Sequence, residues 1–201
     1  MSTLEELTEV PEGREIPATD IPVLGEPRFK CFACSPHHEH GLRLRLWHQP
    51  GQLTTVTTFG EDFCSYPGVV HGGIVATAAD DLMANLILIE ERRLTFTTVL
   101  RTRYLRPLAA RESCRFVARI TESGPGLVTA QTDVLAADGG PSAMVTASYQ
   151  PIRSAVAAEV FGLNPGEHER LQPYLAQSER GAQSERGAQS ERGAQSERGE
   201  T

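Results

Sequence analysis

The sequence predicts an α+β domain in which an antiparallel sheet is wrapped around one long central helix. The segment 71–93 (HGGIVATAADDLMANLILIEERR) spans about 20 residues and is apolar around most of its circumference, which is typical of a buried helix. The remaining segments between residues 41 and 150 show the alternation and the Thr/Val content of strands, divided by turn residues. A helix that is apolar on all sides must be covered by the sheet.

The individual strands follow from periodicity and turn signals. Leucine alternates with arginine from Leu42 to Leu46, the segment 53–59 is rich in Thr and Val, and Pro50-Gly51 separates the two, so we expect a hairpin here. The segment 60–70 is expected to be a loop because it contains Pro67-Gly68. Four further strands are predicted after the helix, at 96–105, 113–121, 127–136 and 143–150.

Composition divides the 201 residues into four parts. Residues 1–26 are acidic and without a sustained apolar period, so we expect a flexible N-terminal arm. Residues 27–155 form the predicted folded domain, and 156–175 form a C-terminal extension that carries no clear signal. The segment 176–201 contains AQSERG four times in succession and is expected to be disordered, because it has no large apolar side chain to bury.

Several classes of function are disfavoured. No stretch of about 18 consecutive apolar residues is evident, and the N-terminus lacks the apolar core of a signal peptide, so we expect neither a membrane span nor secretion. The net charge of -7 disfavours nucleic-acid binding. The four cysteines are too few for a disulfide scaffold and fit a reducing, cytoplasmic compartment.

A candidate site lies at the start of the predicted helix, where His71 precedes Gly72 and Gly73. A helix N-terminus leaves backbone N–H groups unpaired and carries partial positive charge. Glycine lets a ligand approach the backbone closely, so this end of the helix can polarise a carbonyl or hold an oxyanion. Alternatively, the three residues only turn the chain from a loop into the helix.

Asp80 strengthens the functional interpretation. It follows Gly73 by seven residues, about 700° around the helix, so the two share one face within about 20°. A carboxylate inside an apolar helix costs several kcal/mol unless it is paired, and the fold does not require one here. Asp80 is therefore a candidate general base or nucleophile. Asp81, about 100° away, is expected to face solvent or to cap a neighbouring strand.

The spacing of these groups predicts an oligomer. Gly72 and Asp80 are separated by about 12 Å along the helix axis, whereas a reacting carbon must lie about 3 Å from both groups. One helix cannot meet this requirement, but a second, antiparallel copy can. We therefore expect a two-fold dimer with composite sites.

The chain resembles the hotdog-fold acyl-CoA thioesterases, specifically the PaaI-like branch of the 4-hydroxybenzoyl-CoA thioesterase superfamily. The resemblance covers roughly residues 30–152. The motifs that carry it are His71-Gly72-Gly73 with Asp80, Thr97 with Tyr104-Leu105-Arg106-Pro107, and Cys31-Phe32-x-Cys34 before Gly41-Leu42.

This resemblance implies that a homodimer or a dimer of dimers hydrolyses acyl-CoA thioesters to free acid and CoA, without a cofactor. Gly72 matches the backbone N–H that polarises the thioester carbonyl, and Asp80 matches the general base or nucleophile. Thr97 matches the hydroxyl that positions the water, and His71 orients the loop or the substrate.

The expected substrate-binding residues are Gly73, Ser65, Arg103 and Arg106. The two arginines could meet the phosphates of CoA. Ser65 is a departure from the family pattern, because related enzymes often carry Asn or Gln at this position. A noncatalytic acyl-CoA-binding or regulatory hotdog protein is therefore one alternative, mildly favoured by Ser65. A hotdog hydratase or dehydratase is another, and the spacing of Asp80 counts against it.

Two cysteine-based alternatives are also open. A zinc knuckle could be built from Cys31, Cys34, His37, His38 and His40. The preferred interpretation of that segment is a loop leading into a strand, without metal. Cys64 and His71 could form a nucleophilic pair, although a semi-buried thiol at Cys64 is the commoner explanation. Cys114 is expected in the core.

Overall fold

The computed structural model describes residues 10–17, 20–21 and 26–177, and it contains one large antiparallel sheet around a long helix. The strands are β1 (Arg14–Ile16), β2 (Leu46–Gln49), β3 (Gln52–Thr58), β4 (Cys64–Tyr66), β5 (Val69–Val70), β6 (Thr95–Tyr104), β7 (Ser113–Ser123), β8 (Val128–Leu135) and β9 (Pro141–Pro151). The helices are α1 (Gly72–Glu91), α2 (Ser154–Phe161) and α3 (165–177). The seven-stranded sheet has the order β1-β2-β3-β7-β8-β9-β6, and β4 pairs with β5 separately.

Helix α1 is the centre of the molecule. Ala78, Leu82 and Leu86 on this helix have no solvent-exposed surface, and α1 contacts strands β3, β6, β7, β8 and β9. The predicted α+β class and the wrapped central helix are therefore confirmed. By length and composition α1 could also cross a membrane, although Asp80 and Asp81 interrupt its apolar residues, so the expectation of no membrane span stays a prediction. In this fold the helix is packed against the sheet.

The first predicted hairpin is shorter than expected, because residues 41–45 do not form a strand. Arg43 has a left-handed backbone with φ of 50°. The N–H groups of Leu42 and Leu44 instead donate to the carbonyls of Phe32 and Ala33, at 2.8 and 2.9 Å. The alternating leucines still point inward, but this segment anchors the preceding turn rather than the sheet.

Two segments expected to be irregular contain regular structure. Within the predicted arm 1–26, β1 pairs with β2, and Ile16 and Ile21 are buried. Residues 1–9, 18–19 and 22–25 lie outside the described residues. The predicted loop 60–70 contains the short helical turn Glu61–Phe63 and the β4–β5 hairpin, which turns at Gly68 with φ of 77°.

The C-terminal extension is helical. Helices α2 and α3 build a second small core from Ile152, Ala157, Leu171 and Leu175. The buried carboxylate of Glu167 forms an ion pair with Arg28, which ties the extension to the segment before the CxxC motif. Residues 176 and 177, the first two of the AQSERG array, are helical rather than disordered, and the predicted disorder of 178–201 lies outside the described residues.

Strand β6 forms one edge of the sheet. It pairs with β9 on one side, and on the other side no strand lies beside it among the described residues. Phe96, Val99, Leu100 and Tyr104 on this strand are exposed by 38–53%. A long edge with apolar side chains and unpaired backbone groups is a template for a further strand.

Candidate active site

The carboxylate of Asp80 is held by two hydroxyl groups. Its Oδ1 accepts hydrogen bonds from Thr97 Oγ1 at 2.9 Å and from Tyr149 Oη at 2.8 Å. Thr97 on β6 and Tyr149 on β9 are direct partners in the antiparallel register, which explains why both hydroxyls reach one oxygen. The register shifts between Thr97 and Val99, so a bulge lies next to the acid.

Tyr149 is a site residue that sequence reasoning missed. Its side chain has no exposed surface, and its hydroxyl also lies 3.1 Å from the backbone carbonyl oxygen of Asp80. Burial, together with the neighbouring charge of Asp80, raises the pKa of the Tyr149 phenol. The phenol therefore stays protonated and acts as a donor. The available signal was its inward position in the predicted last strand, which by itself also fits a core tyrosine.

The N-terminus of α1 is capped by His71. The ring Nδ1 of His71 accepts from the N–H of Gly73 at 2.8 Å, and its backbone N–H donates to Phe63 O at 2.8 Å. The N–H of Gly73 is thus already engaged. Gly72 is the first residue of the helix, so its N–H has no acceptor within the helix and is the donor left for a ligand.

Tyr104 fixes the other side of this helix end. Its hydroxyl donates to Gly72 O at 2.6 Å, and a Cβ atom on residue 72 would lie 2.8 Å from that hydroxyl oxygen. The close approach explains why glycine occupies this position. Ser65, Gly72, Tyr104 and Arg106 line one cavity of about 460 Å³ beside the helix end. Three of the predicted site residues are therefore brought together here.

The two arginines expected to bind phosphates differ in whether their side chains already have a partner within the chain. Arg106 forms an ion pair with Asp138 and donates to Gly140 O at 2.7 Å. The Arg106 guanidinium lowers the pKa of Asp138 to about 2, so this pair is charged at neutral pH. Arg103 lies in a separate surface groove with Arg119. Its side chain forms no hydrogen bond or ion pair with other groups of the described residues.

The predicted catalytic residues form two groups within one chain. Asp80 and Thr97 meet in the middle of α1, whereas His71, Gly72 and Ser65 meet at its N-terminus. The rise of the helix separates Gly72 from Asp80 by about 12 Å. Within a single chain the predicted site is therefore divided into two half-sites.

The expectation that Asp81 faces solvent or caps a strand is wrong. Its Oδ1 accepts from Cys31 Sγ at 3.1 Å and from Cys34 Sγ at 3.4 Å, and its Oδ2 accepts from Asn85 Nδ2 at 3.0 Å. Burial raises the pKa of the Asp81 carboxyl, and the neighbouring Cys31 raises it further. The hydrogen bond from Cys34 lowers the pKa of Cys31.

The structure does not bring together the residues of the zinc knuckle or of the Cys64–His71 pair among the described residues. Among the described residues, the side chain that lies with Cys31 and Cys34 in a possible metal-binding group is Asp81. None of the three histidines of residues 37–40 belongs to this group, so the structure does not assemble the zinc knuckle considered above. Cys64 Sγ contacts Gly60 O at 3.9 Å, and no hydrogen bond joins it to His71 in the part of the chain that is described. Cys114 is buried as predicted, and burial raises its pKa to about 12.

The architecture defines the class of protein: one antiparallel sheet wrapped around a single long helix is the hotdog fold. The model of the Thioesterase superfamily matches residues 67–143, a range that contains His71, Gly72, Asp80 and Thr97. The resemblance to hotdog thioesterases that the motifs predict is confirmed by this match. Comparison with the curated proteins gives no match.

Solved structures share the fold. Zebrafish thioesterase superfamily member 2 is 20% identical, with a TM-score of 0.56 over 68% of this chain and 98% of the zebrafish chain. AziG from S. sahachiroi is 17% identical, with a TM-score of 0.53 over 59% of this chain and 97% of its own. At these identities the likeness concerns the fold alone.

The cap of α1 can be tested by its contribution to stability. Replacing His71 with Ala removes the acceptor for the Gly73 N–H and should lower the free energy of unfolding by about 1 kcal/mol. His71→Asn supplies an acceptor of the type that caps helices well and should recover most of this loss. Urea denaturation of the two variants and the parent measures both effects. Equal destabilisation by Asn and Ala would contradict a capping role.

Proposed function

We propose that this protein hydrolyses acyl-CoA thioesters to the free acid and CoA, as a PaaI-like hotdog thioesterase. The observation that carries the proposal is the carboxylate of Asp80, which is oriented by Thr97 and Tyr149 and shares a helix face with Gly73. The match of residues 67–143 to the Thioesterase superfamily supports thioester hydrolysis as the general class of reaction.

We infer different tasks for the two oxygens of Asp80 from their hydrogen bonds. Oδ1 accepts from both hydroxyls, whereas Oδ2 accepts from no group among the described residues. Oδ2 is therefore the atom that takes a proton from water as the water attacks the thioester carbonyl, or that attacks this carbon itself to give an anhydride, which water then hydrolyses to the free acid and Asp80. In either route the carbonyl oxygen becomes an oxyanion on the Gly72 N–H, and the thiolate of CoA leaves.

The complete site requires a second chain. Strand β6 runs beside both half-sites, because Thr97 bonds Asp80 near one end and Tyr104 bonds Gly72 at the other. When such an edge strand pairs antiparallel with its own copy across a two-fold axis, the Thr97 end of one chain meets the Tyr104 end of the other. Asp80 then faces Gly72 of the partner subunit, and the exposed apolar side chains of β6 are covered.

The cavity at the helix end is the proposed binding site for the thioester group and the adjacent parts of the substrate. Ser65 can donate a hydrogen bond there, whereas Gly73 does not line this cavity and its N–H is engaged by His71. Arg103 is the better phosphate partner of the two arginines, since Arg106 already binds Asp138. The protein is proposed to act in the cytoplasm without a cofactor and without binding nucleic acid or membrane.

A noncatalytic acyl-CoA-binding protein is the second candidate, and Ser65 favours it. The serine lines the cavity but reaches less far than the Asn or Gln that related enzymes often carry at this position. The hydrogen bonds from Thr97 and Tyr149 to Asp80 count against this candidate, because a binding protein does not need an oriented carboxylate.

Replacing Asp80 with Asn should lower kcat for acyl-CoA hydrolysis by at least about 100-fold, because the amide can neither accept the proton nor attack. Release of free CoA from a panel of acyl-CoA thioesters measures this. Asp62→Asn changes an exposed acid in the same way and should retain full activity. An unchanged rate in Asp80→Asn would overturn the mechanism. A wild-type protein that binds acyl-CoA and releases no CoA would establish the second candidate instead.

Tyr149→Phe tests the phenol as a positioning residue. A hydrogen bond to a charged group contributes about 1.5–3 kcal/mol, so its loss should lower kcat about tenfold or more. KM should stay constant, because the phenol is buried behind the carboxylate and does not line the cavity. Steady-state kinetics separates the two parameters, and Tyr174→Phe in the C-terminal extension is the matched control. A raised KM with unchanged kcat would contradict this role.

Subunit mixing tests the composite site. Gly72→Pro removes the N–H at a helix position that tolerates proline, and Gly72→Ala controls for the added side chain beside Tyr104. A hybrid of an Asp80→Asn chain and a Gly72→Pro chain, isolated by two affinity tags, contains one site with both groups intact. It should regain about half of the wild-type rate per dimer. A hybrid as inactive as both parents would show that each chain supplies its own site.

A further inference from the structure

A second chemical cluster lies on α1 next to the proposed active site. The sulfur atoms of Cys31 and Cys34 and a carboxylate oxygen of Asp81 all lie within 4.8 Å of one another. The turn at residues 31–34 supplies the two sulfurs, and the second half of α1 supplies the carboxylate. Thioester hydrolysis as described above uses none of these three side chains.

The distances fit tetrahedral coordination of a metal. Bonds of about 2.3 Å to sulfur and about 2.0 Å to oxygen at a tetrahedral angle place the sulfur and oxygen ligands about 3.5 Å apart. In this structure Asp81 Oδ1 lies 3.1 Å from Cys31 Sγ and 3.4 Å from Cys34 Sγ. A cation can thus replace the thiol protons between these atoms without a large movement of the side chains.

The electrostatics of the cluster favour a cation. Asp81 is only partly exposed, and within the described ranges no ion pair involves it. Asn85 donates to Oδ2 of Asp81 and also to its backbone carbonyl, which fixes the carboxylate with Oδ1 toward the sulfurs. A carboxylate beside two potential thiolates is costly to desolvate unless a positive charge or protons lie among them.

The turn that carries the two cysteines is fixed by backbone hydrogen bonds. The N–H of Ser35 donates to Cys31 O at 3.2 Å, and the N–H groups of Leu42 and Leu44 donate to the carbonyls of Phe32 and Ala33. The backbone therefore holds both sulfurs on the side of Asp81 before any ion binds.

We propose that Cys31, Cys34 and Asp81 bind one Zn²⁺ ion. Two sulfur ligands and one oxygen ligand suit zinc, and three protein ligands leave one tetrahedral position for water. Asp81 also lines a cavity of about 230 Å³ with Asn85 and Arg93, which gives room for that fourth ligand. The ion clamps the turn at residues 31–34 to α1. The histidines of residues 37–40 take no part.

Zinc binding by the full chain tests this site directly. The reduced protein, treated with a chelator, should take up one Zn²⁺ per chain in competition with a chromophoric chelator. Substituting Co²⁺ should give thiolate-to-metal charge-transfer absorption and the intense visible bands of a tetrahedral complex. Cys31→Ser, Cys34→Ser and Asp81→Asn should each weaken the affinity by at least about tenfold. The isosteric Asp81→Asn keeps the test valid if a cysteine variant fails to fold.

Two control variants separate this site from other metal ligands. Cys64→Ser and the combined replacement of His37, His38 and His40 by Ala should leave the zinc affinity unchanged. Loss of binding in the triple histidine variant with retention in Asp81→Asn would overturn the proposal. A wild-type zinc affinity equal to that of Cys31→Ser, Cys34→Ser and Asp81→Asn would also overturn it. That result would include the case in which the two cysteines only form a reversible disulfide.

Discussion

The structure depends on the burial of one apolar helix that carries two consecutive carboxylic acids. Packing α1 against the sheet buries nine of its twenty residues, but each acid costs several kcal/mol in such surroundings unless it is hydrogen-bonded. Consecutive helix positions point about 100° apart, so the acids need separate partners. Thr97 and Tyr149 bind Asp80, whereas two cysteines and Asn85 bind Asp81.

The order of the sheet places the partners of Asp80. Strands β6 and β9 are neighbours at one edge, and their register sets Thr97 opposite Tyr149. Because the two residues share one face of the sheet, both hydroxyls reach the same carboxylate oxygen, and the other oxygen is left for chemistry. Since β6 is also the edge strand, the acid lies near the border of the chain, where a second chain can complete the site.

The sequence predicts those features that depend on local periodicity. The central helix and the four strands after it follow from periodicity, and the placement of Thr97 beside Asp80 is what the family resemblance implies. Tyr149 did not, because an inward tyrosine in a strand has the same pattern whether it packs or binds an acid. The partners of Asp81 are 47 and 50 residues away, so no local pattern connects them. The sequence also does not predict the break in the strand at Arg43, because the Leu/Arg alternation continues through a residue with a left-handed backbone.

The two acids are consecutive on one helix, so neighbouring residues of α1 are held from two sides. Asp81 bonds the turn at residues 31–34 through Cys31 and Cys34, whereas Asp80 bonds β6 and β9 through Thr97 and Tyr149. The proposed zinc ion would strengthen the first of these attachments, since a bound metal replaces two weak hydrogen bonds from sulfur with coordinate bonds of fixed length. The cysteine cluster then supports the helix that carries Asp80, the proposed catalytic acid.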